Sequence, residues 1–411
     1  MKEKIYEITT EFHRLDRRVP LALYKPTVPT ERSQIAVLAM HGGDYMSFQP
    51  MIEMAKRGYI AAGANPNARG KFDWLKSYCA CVNFLKNYPG VKKVVLMGHS
   101  QGGCMMSCYQ YIAENGIDRF KNSDRVIPFP DMPALTPGDG LMLIDANYGI
   151  MDMLALDPGV KDWKTGYGRI PELDIYNPEN GYKKDESEYS QEFIRRFQKA
   201  QVKMYKDIFA YALERREAIW KGQGAFADDE PVLIAGGAGG SNNNKLFIQD
   251  NRLLGRTREA HDLLHADGTI TNEIIRTVRP REDAVKPEFY NRGAFNTTVM
   301  NILAGEYHFD DDFGYDECSM WGADGWFNPF STRENVKYIH VPLLVQGNTA
   351  SHEMVNTEFN LDAAVSSDVS SIWSEGSTHM FGAINSNFAD PLPATADFFA
   401  QWIAKPGRFM D

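Results

Sequence analysis

The residues best suited to chemistry lie in Gly98-His99-Ser100-Gln101-Gly102, which follows the apolar run Val94-Val95-Leu96-Met97 and leads into a helix-like stretch from Cys104 to Ala113. A Gly-x-Ser-x-Gly between a strand and a helix holds its serine in a strained backbone conformation. The glycines remove side chains that would collide, and the hydroxyl stands at the tip of the turn. The N–H groups that open the helix face the same point, where their partial positive charge suits a developing oxyanion. A serine hydroxyl is a weak nucleophile until a base takes its proton. Of the nine histidines, His379 is the best placed as that base, in the short turn Ser374-Glu375-Gly376-Ser377-Thr378-His379 after an apolar strand. His99 adjoins the serine, but its side chain should point away, and His340 begins a strand.

These residues resemble the α/β-hydrolase fold family over two blocks, about residues 33–149 and 338–405, with no likeness between them. The resemblance implies that Ser100 is the nucleophile and that His379, in a Gly-x-x-His loop, is the base, in the family's chain order. A serine, not an aspartate, at this position disfavours the dehalogenase and epoxide hydrolase branches and favours acyl transfer. His41-Gly42-Gly43 resembles the family's His-Gly oxyanion motif, which implies that the backbone N–H groups of Gly43 and Gln101 form the hole, with His41 fixing the loop. For the orienting acid the family often uses Gly-x-x-Asp after the strand that here ends at Gly347, but Ala350 stands in that place. Glu353 is the nearest acid and Glu358 lies further on. Other branches use the end of the strand after the serine turn, where Asp145 stands. Asp145 and Glu353 remain open at this point, with Glu358 behind them.

The elements that must position these groups follow from hydrophobic periodicity. Residues 5–12 and 18–25 read as two opening strands, and Ile35 to Met40 as a strand covered on both faces. A helix near 47–57, a strand at Tyr59 to Ala64 and an amphipathic helix from about Asp73 to Tyr88 follow. Strand and helix thus alternate from 35 to 115, the pattern of a parallel sheet with right-handed crossovers. Gly140 to Asp145 is another buried strand, Val341 to Gly347 resumes the sheet, and Val369 to Trp373 is its last interior strand. Residues 394–405 close the chain as a helix.

The stretch between reads differently. It shows no clear strand–helix alternation but contains a long helix from roughly Gln191 to Trp220, whose Phe193, Phe197, Ala200, Met204, Ile208 and Tyr211 recur every three or four residues. The periodicity points to an α/β class with a mostly parallel central sheet and helices on both faces, and the resemblance implies that this is an α/β-hydrolase fold with a large, mainly helical cap insertion. The boundaries are 1–149 and 338–411 for the core and 150–337 for the cap, placed to roof the strand ends where sites in such sheets lie. Trp163, Tyr167, Trp220, Phe247, Trp321, Trp326 and Phe327 should form mostly the cap's own core, with some lining a pocket.

A chain of 411 residues is too long for one simple core, in keeping with an insertion. A net charge of −10 without a basic stripe argues against nucleic acid. The charged start lacks the apolar core of a signal peptide, and no run approaches a membrane span, so a cytoplasmic protein with no membrane partner is expected. Five cysteines suit reduced thiols, with Cys79 and Cys81 in the core. Two lures fail on spacing. His261-Asp262-Leu263-Leu264-His265 would put two imidazoles on one helical face, but Asp262 stands where the zinc-protease pattern needs Glu and no third ligand is evident, so no metal is expected. Gly236 to Gly240 fits neither the dinucleotide nor the Walker pattern and reads as a loop. The sequence therefore implies a cofactor-independent serine hydrolase for a small-molecule carboxylic ester, bulky and apolar or aromatic, or a lactone. An amidase would use the same residues, and a hydrolase-fold protein that binds without turnover is the rival. A homodimer is compatible with the sequence.

Overall fold

The structure, a computed structural model, describes the chain apart from residues 1, 67–69, 122–123, 148, 150–155, 184–185, 236–254, 280–293 and 411. Its strands in chain order are β1 (Ile8–Arg14), β2 (Pro20–Pro26), β3 (Ile35–Met40), β4 (Ile60–Ala64), β5 (Lys93–Ser100), β6 (Gly140–Ala146), β7 (Pro231–Ala235), β8 (Arg256–Leu264), β9 (Ile270–Arg276), β10 (Ala294–Thr298), β11 (His308–Tyr315), β12 (Met320–Asp324), β13 (Leu343–Asn348) and β14 (Val369–Ser374). The helices are α1 (Gln49–Lys56), α2 (Lys71–Lys86), α3 (Gln101–Asn115), α4 (Gln191–Trp220), α5 (Val299–Ala304), α6 (Thr332–Asn335), α7 (Met354–Ala363) and α8 (Leu392–Ile403).

Ten of these strands form one sheet in the order β1-β2-β4-β3-β5-β6-β13-β14-β8-β9. From β4 through β8 every neighbouring pair is parallel, and antiparallel pairs stand at the two ends. The apolar runs explain this centre, because a strand buried on both faces must be apolar at every position. In β3, Ala36, Leu38 and Met40 pack into one cluster with residues of α2 and α3. Ile35, Val37 and Ala39 point the other way, into a cluster with α1 and α8. Helices therefore cover both faces, as the periodicity predicts.

The segment between β6 and β13 departs from expectation in one respect. It contains the predicted long helix, α4, with Phe193, Phe197, Met204 and Ile208 buried on one face. It also contains β7 to β12, more strand than a mainly helical cap implies. Two of them, β8 and β9, extend the central sheet beyond β14, with Trp373 and Ser374 pairing with Leu263 and Leu264. The stretch holding His261 and His265 is thus a strand and its turn, not a helix. The remaining pairs β7–β10 and β11–β12 form two small ribbons that pack with α4 and α5 into separate apolar clusters.

The aromatic residues singled out in this segment behave unevenly. Tyr167, Trp220, Trp321 and Trp326 are exposed, and Trp163 packs at the edge of an α4 cluster. Phe247 and the glycine run 236–240 lie outside the described residues. No helix among the described residues is long and apolar enough to cross a membrane.

Candidate active site

Ser100 ends β5 and caps α3 with φ 56° and ψ −132°, a left-side conformation that an L-residue adopts only under constraint. The constraint is close packing behind it. A Cβ on Gly98 would come within 2.7 Å of the Gly102 carbonyl oxygen and the Gly103 Cα, and one on Gly102 within 2.8 Å of the Met40 carbonyl oxygen. Strand and helix can approach this closely only at glycine, and the approach forces the sharp turn at the serine. Gln101 then opens α3, whose first turn carries no acidic side chain to compete for its N–H groups.

Asp145 reaches the site through an irregularity in β6. His99 pairs with Ile144 but Ser100 pairs with Ala146, so one residue is extruded from the ladder. That residue is Asp145, with φ 44° and no exposed surface. Such a bulge re-aims a side chain at a strand end. One carboxylate oxygen of Asp145 accepts the backbone N–H of Asn348 at 3.1 Å. The other accepts Nδ1–H of His379 at 2.6 Å. This bond sets the tautomer and leaves Nε2 of His379 as the basic nitrogen.

The loop carrying His379 is held from several sides. Asn348 Nδ2 donates to the Thr378 carbonyl at 3.0 Å, Ala350 N–H to the Ser377 carbonyl at 3.0 Å and Gly376 N–H to Thr349 Oγ1 at 2.8 Å. His99, fully buried, donates from Nε2 to the His379 carbonyl at 2.8 Å and accepts the Tyr45 hydroxyl at Nδ1. Burial keeps His99 neutral, and the charge of a protonated His379 nearby adds to the effect. The His99 ring also packs against His379 with centroids 4.4 Å apart, and His352 packs against the same His379 ring at 4.5 Å. Sequence reading assigned no role to His99; its neighbour Tyr45 and its burial supply one. Its position beside Ser100 was the only signal.

Burial alone would lower the pKa of His379, but the hydrogen bond and charge of Asp145, with the charge of Glu353, outweigh it and raise the pKa above its ordinary 6.5. Among the described residues no hydrogen bond joins the Ser100 hydroxyl to His379. In unliganded sites such bonds are often long and tighten only around substrate.

The other acids are placed elsewhere. Glu353 is buried and accepts from Asn356 Nδ2, with its carboxylate 3.4 Å from His352 Nε2. Among the described residues it makes no direct bond to His379: its backbone N–H donates to Ser351, whose hydroxyl is 3.3 Å from His379 Nδ1, and its carboxylate adjoins His352, which packs on His379. Glu358 is fully engaged by β8, accepting from the N–H groups of Arg258 and Glu259, from Arg258 Nε and from His261 Nε2 at 2.9 Å.

At the expected oxyanion loop, the N–H of Gly43 donates to His41 Nδ1 at 2.9 Å, so it is engaged within its own turn. Burial and the neighbouring His379 push the pKa of His41 down to about 4, which keeps that ring neutral and its Nδ1 an acceptor.

The set His99, Asp145 and His379 brings three potential ligand atoms within 4.8 Å of one another. Both ring nitrogens of His99 and Nδ1 of His379 are already committed to protein partners, so the donor set does not fit a metal. Of the zinc lure, His261 bonds Glu358, while His265 bonds Glu375 at 2.7 Å and Thr271. On a strand these two rings stand about four residues, or ~13 Å, apart.

The strand order, the serine turn and the Asp145–His379 pair at the strand ends together make the architecture an α/β-hydrolase fold. No family model matches the chain, and no curated protein matches it. Among solved structures it is similar to a hypothetical protein from Pseudomonas aeruginosa (11% identity, 97% of this chain and 94% of that one, TM-score 0.41). It is likewise similar to esterase B from Lactobacillus rhamnosis (10%, 98% and 87%, 0.40) and to Est1E from Butyrivibrio proteoclasticus (10%, 96% and 99%, 0.38). At such identity nothing about substrate passes from these proteins to this chain.

Next to Gln101, the residue that follows Ser100, a cavity of about 100 Å³ is floored by Gln101, Cys104 and Met105 of α3 and roofed by Ile208 of α4, Ile234 of β7 and Phe295 of β10. Residues from the segment between β6 and β13 therefore close the space next to the serine. The aromatic lining comes from Tyr205, Phe295, Tyr307 and Phe330, not from the tryptophans that composition brought forward.

Proposed function

We propose that this chain is a cofactor-independent serine hydrolase that cleaves carboxylic esters through an acyl-enzyme on Ser100. The observation that carries the reading is the 2.6 Å bond from His379 Nδ1 to the buried Asp145, at the same sheet edge as a serine held at positive φ. His379 Nε2 takes the hydroxyl proton as Ser100 attacks the ester carbonyl; the imidazolium, stabilised by Asp145, then gives the proton to the departing alcohol. Water then enters and attacks the acyl-enzyme while losing a proton to the same nitrogen, which returns that proton to Ser100 Oγ as the acid leaves. The N–H of Gln101 is one oxyanion donor. The second is Gly43, whose N–H exchanges His41 Nδ1 for the developing oxyanion, a stronger acceptor. Asp145 is the orienting acid, and Glu353 and Glu358 are structural.

The segment 150–337 acts as the cap, and the largely apolar cavity beneath it favours an apolar acyl or alcohol group. Five free cysteines support a reducing compartment such as the cytoplasm. The test is covalent labelling by a fluorophosphonate probe with parallel turnover of a short-chain 4-nitrophenyl ester. Both should be present in the native protein and absent from Ser100→Ala. Labelling or hydrolysis that survives this substitution overturns the mechanism.

A further inference from the structure

We infer that the cavity beside Ser100 takes an ester that also carries an ionised carboxylate, recognised by Lys71; this rests on the serine-hydrolase reading of the same site. Among the described lining residues Lys71 is the one charged group and none is a carboxylate. The rest of the lining is apolar or aromatic, interrupted by the neutral amides Gln101, Asn147, Asn301 and Asn328.

Lys71 is placed where local energetics do not favour it. It is the first residue of α2, where a cation meets the positive end of the helix dipole. The acid in that first turn, Asp73, pairs instead with Lys76, and Lys86 at the far end of the helix pairs with Asp139. The half-buried Lys71 has neither an ion pair nor a hydrogen bond among the described residues, and its Nζ lies 5.2 Å from the centre of the Phe330 ring. In a chain of net charge −10, an ammonium that faces a cavity with no counter-ion among the described residues is completed by an anion on the ligand.

The chemistry narrows that anion. A single lysine is a point charge and lacks the forked donors that match phosphate groups in two-pronged fashion, so a monoanion fits better than a phosphate. The apolar walls, with Leu156, Ile208 and Phe295, suit a hydrocarbon spacer between the ester at Ser100 and the charge at Lys71. The ligand class is thus a monoester of an apolar dicarboxylic acid or an ester of similar outline with one distal carboxylate.

The experiment compares mono-4-nitrophenyl adipate with 4-nitrophenyl hexanoate, which share a six-carbon acyl chain and differ in the terminal carboxylate. The native protein should show the higher kcat/KM for the adipate. In Lys71→Gln the adipate-to-hexanoate ratio should fall about 10- to 100-fold, the range of one lost charge-assisted hydrogen bond, while Lys71→Arg should retain most of it. Turnover of hexanoate without a preference for adipate, or a ratio that Lys71→Gln leaves unchanged, overturns the inference and leaves the serine-hydrolase reading standing. If neither ester is hydrolysed, the hydrolase reading falls. Calorimetry with monomethyl adipate on Ser100→Ala protein, with and without Lys71→Gln, then decides the Lys71 site. Binding that Lys71→Gln weakens supports it, and binding that does not respond overturns it.

Discussion

Two buried carboxylate–imidazole pairs in this molecule have nearly the same local geometry and different surroundings. Asp145 meets His379 at 2.6 Å, and Glu358 meets His261 at 2.9 Å; both acids are almost wholly buried. Glu358 is saturated by donors from β8, and together these bonds tie α7 to the added edge of the sheet. His261 stacks on Trp373 with ring centres 4.6 Å apart. Asp145 accepts from only Asn348 and His379, and its imidazole sits in the loop that faces the serine turn. The pair alone therefore does not mark a catalytic site. What distinguishes the two is their setting: His261 lies on β8 and stacks on Trp373, whereas His379 lies in a loop whose carbonyl is held by His99, the neighbour of Ser100.

The comparison breaks most sharply at Asp145. Asp145→Asn should lower kcat of ester hydrolysis on the order of 10⁴-fold, because an amide favours the wrong imidazole tautomer. Circular dichroism and a cooperative melt must confirm that the variant is folded. A loss of less than about tenfold would move the orienting role to another acid, since one decade corresponds to only ~1.4 kcal/mol of barrier.

At the other pair the expected effect is on stability. Glu358→Gln should cost about 2 kcal/mol of unfolding free energy, since the amide keeps an acceptor but loses the charge-assisted bonds to Arg258, whose guanidinium is partly screened by solvent. Activity per folded molecule should change little. A large drop in kcat at unchanged stability would bring Glu358 into the mechanism.

The pH dependence sharpens the contrast. His379 must be neutral to act as base, so kcat/KM falls as pH drops through its pKa, which is raised above 6.5 by Asp145 against the effect of burial. The acid limb of the native profile should thus have its midpoint above 6.5. In Asp145→Asn the main raising influence is gone and burial remains, so the residual activity should show a midpoint shifted downward. A midpoint that does not move would show that Asp145 does not act on His379.

The smallest effect is expected at Glu353. Its charge acts on His379 through space, without a direct bond among the described residues, so Glu353→Gln should reduce kcat/KM by less than about tenfold. A loss equal to that of Asp145→Asn would make the two acids equivalent.

The chain's primary structure determined the features that depend on neighbours in sequence. The run Val94 to Met97 followed by Gly98, Ser100 and Gly102 specifies a strand, a turn and a helix, because only glycine permits the close approach behind the serine. The spacing from Phe193 to Tyr211 specifies α4, and that helix spans Gln191–Trp220. The strand pair β8–β9 was partly legible as well. Asp267-Gly268 is a hairpin turn signal, and Gly268 has φ 91°. The flanking segments hid it, since β9 is exposed at most positions and shows no apolar alternation.

Tertiary structure alone decided which acid meets His379. Asp145, Glu353 and Glu358 are all buried, so neither residue type nor burial separates them. The decision rests on a one-residue register shift between β5 and β6 that extrudes Asp145 toward the loop after β14. It rests equally on the added strand β8, whose donors occupy Glu358. Both are pairings between segments far apart in the chain, and the free energy of such a pairing depends on partners that no local pattern contains.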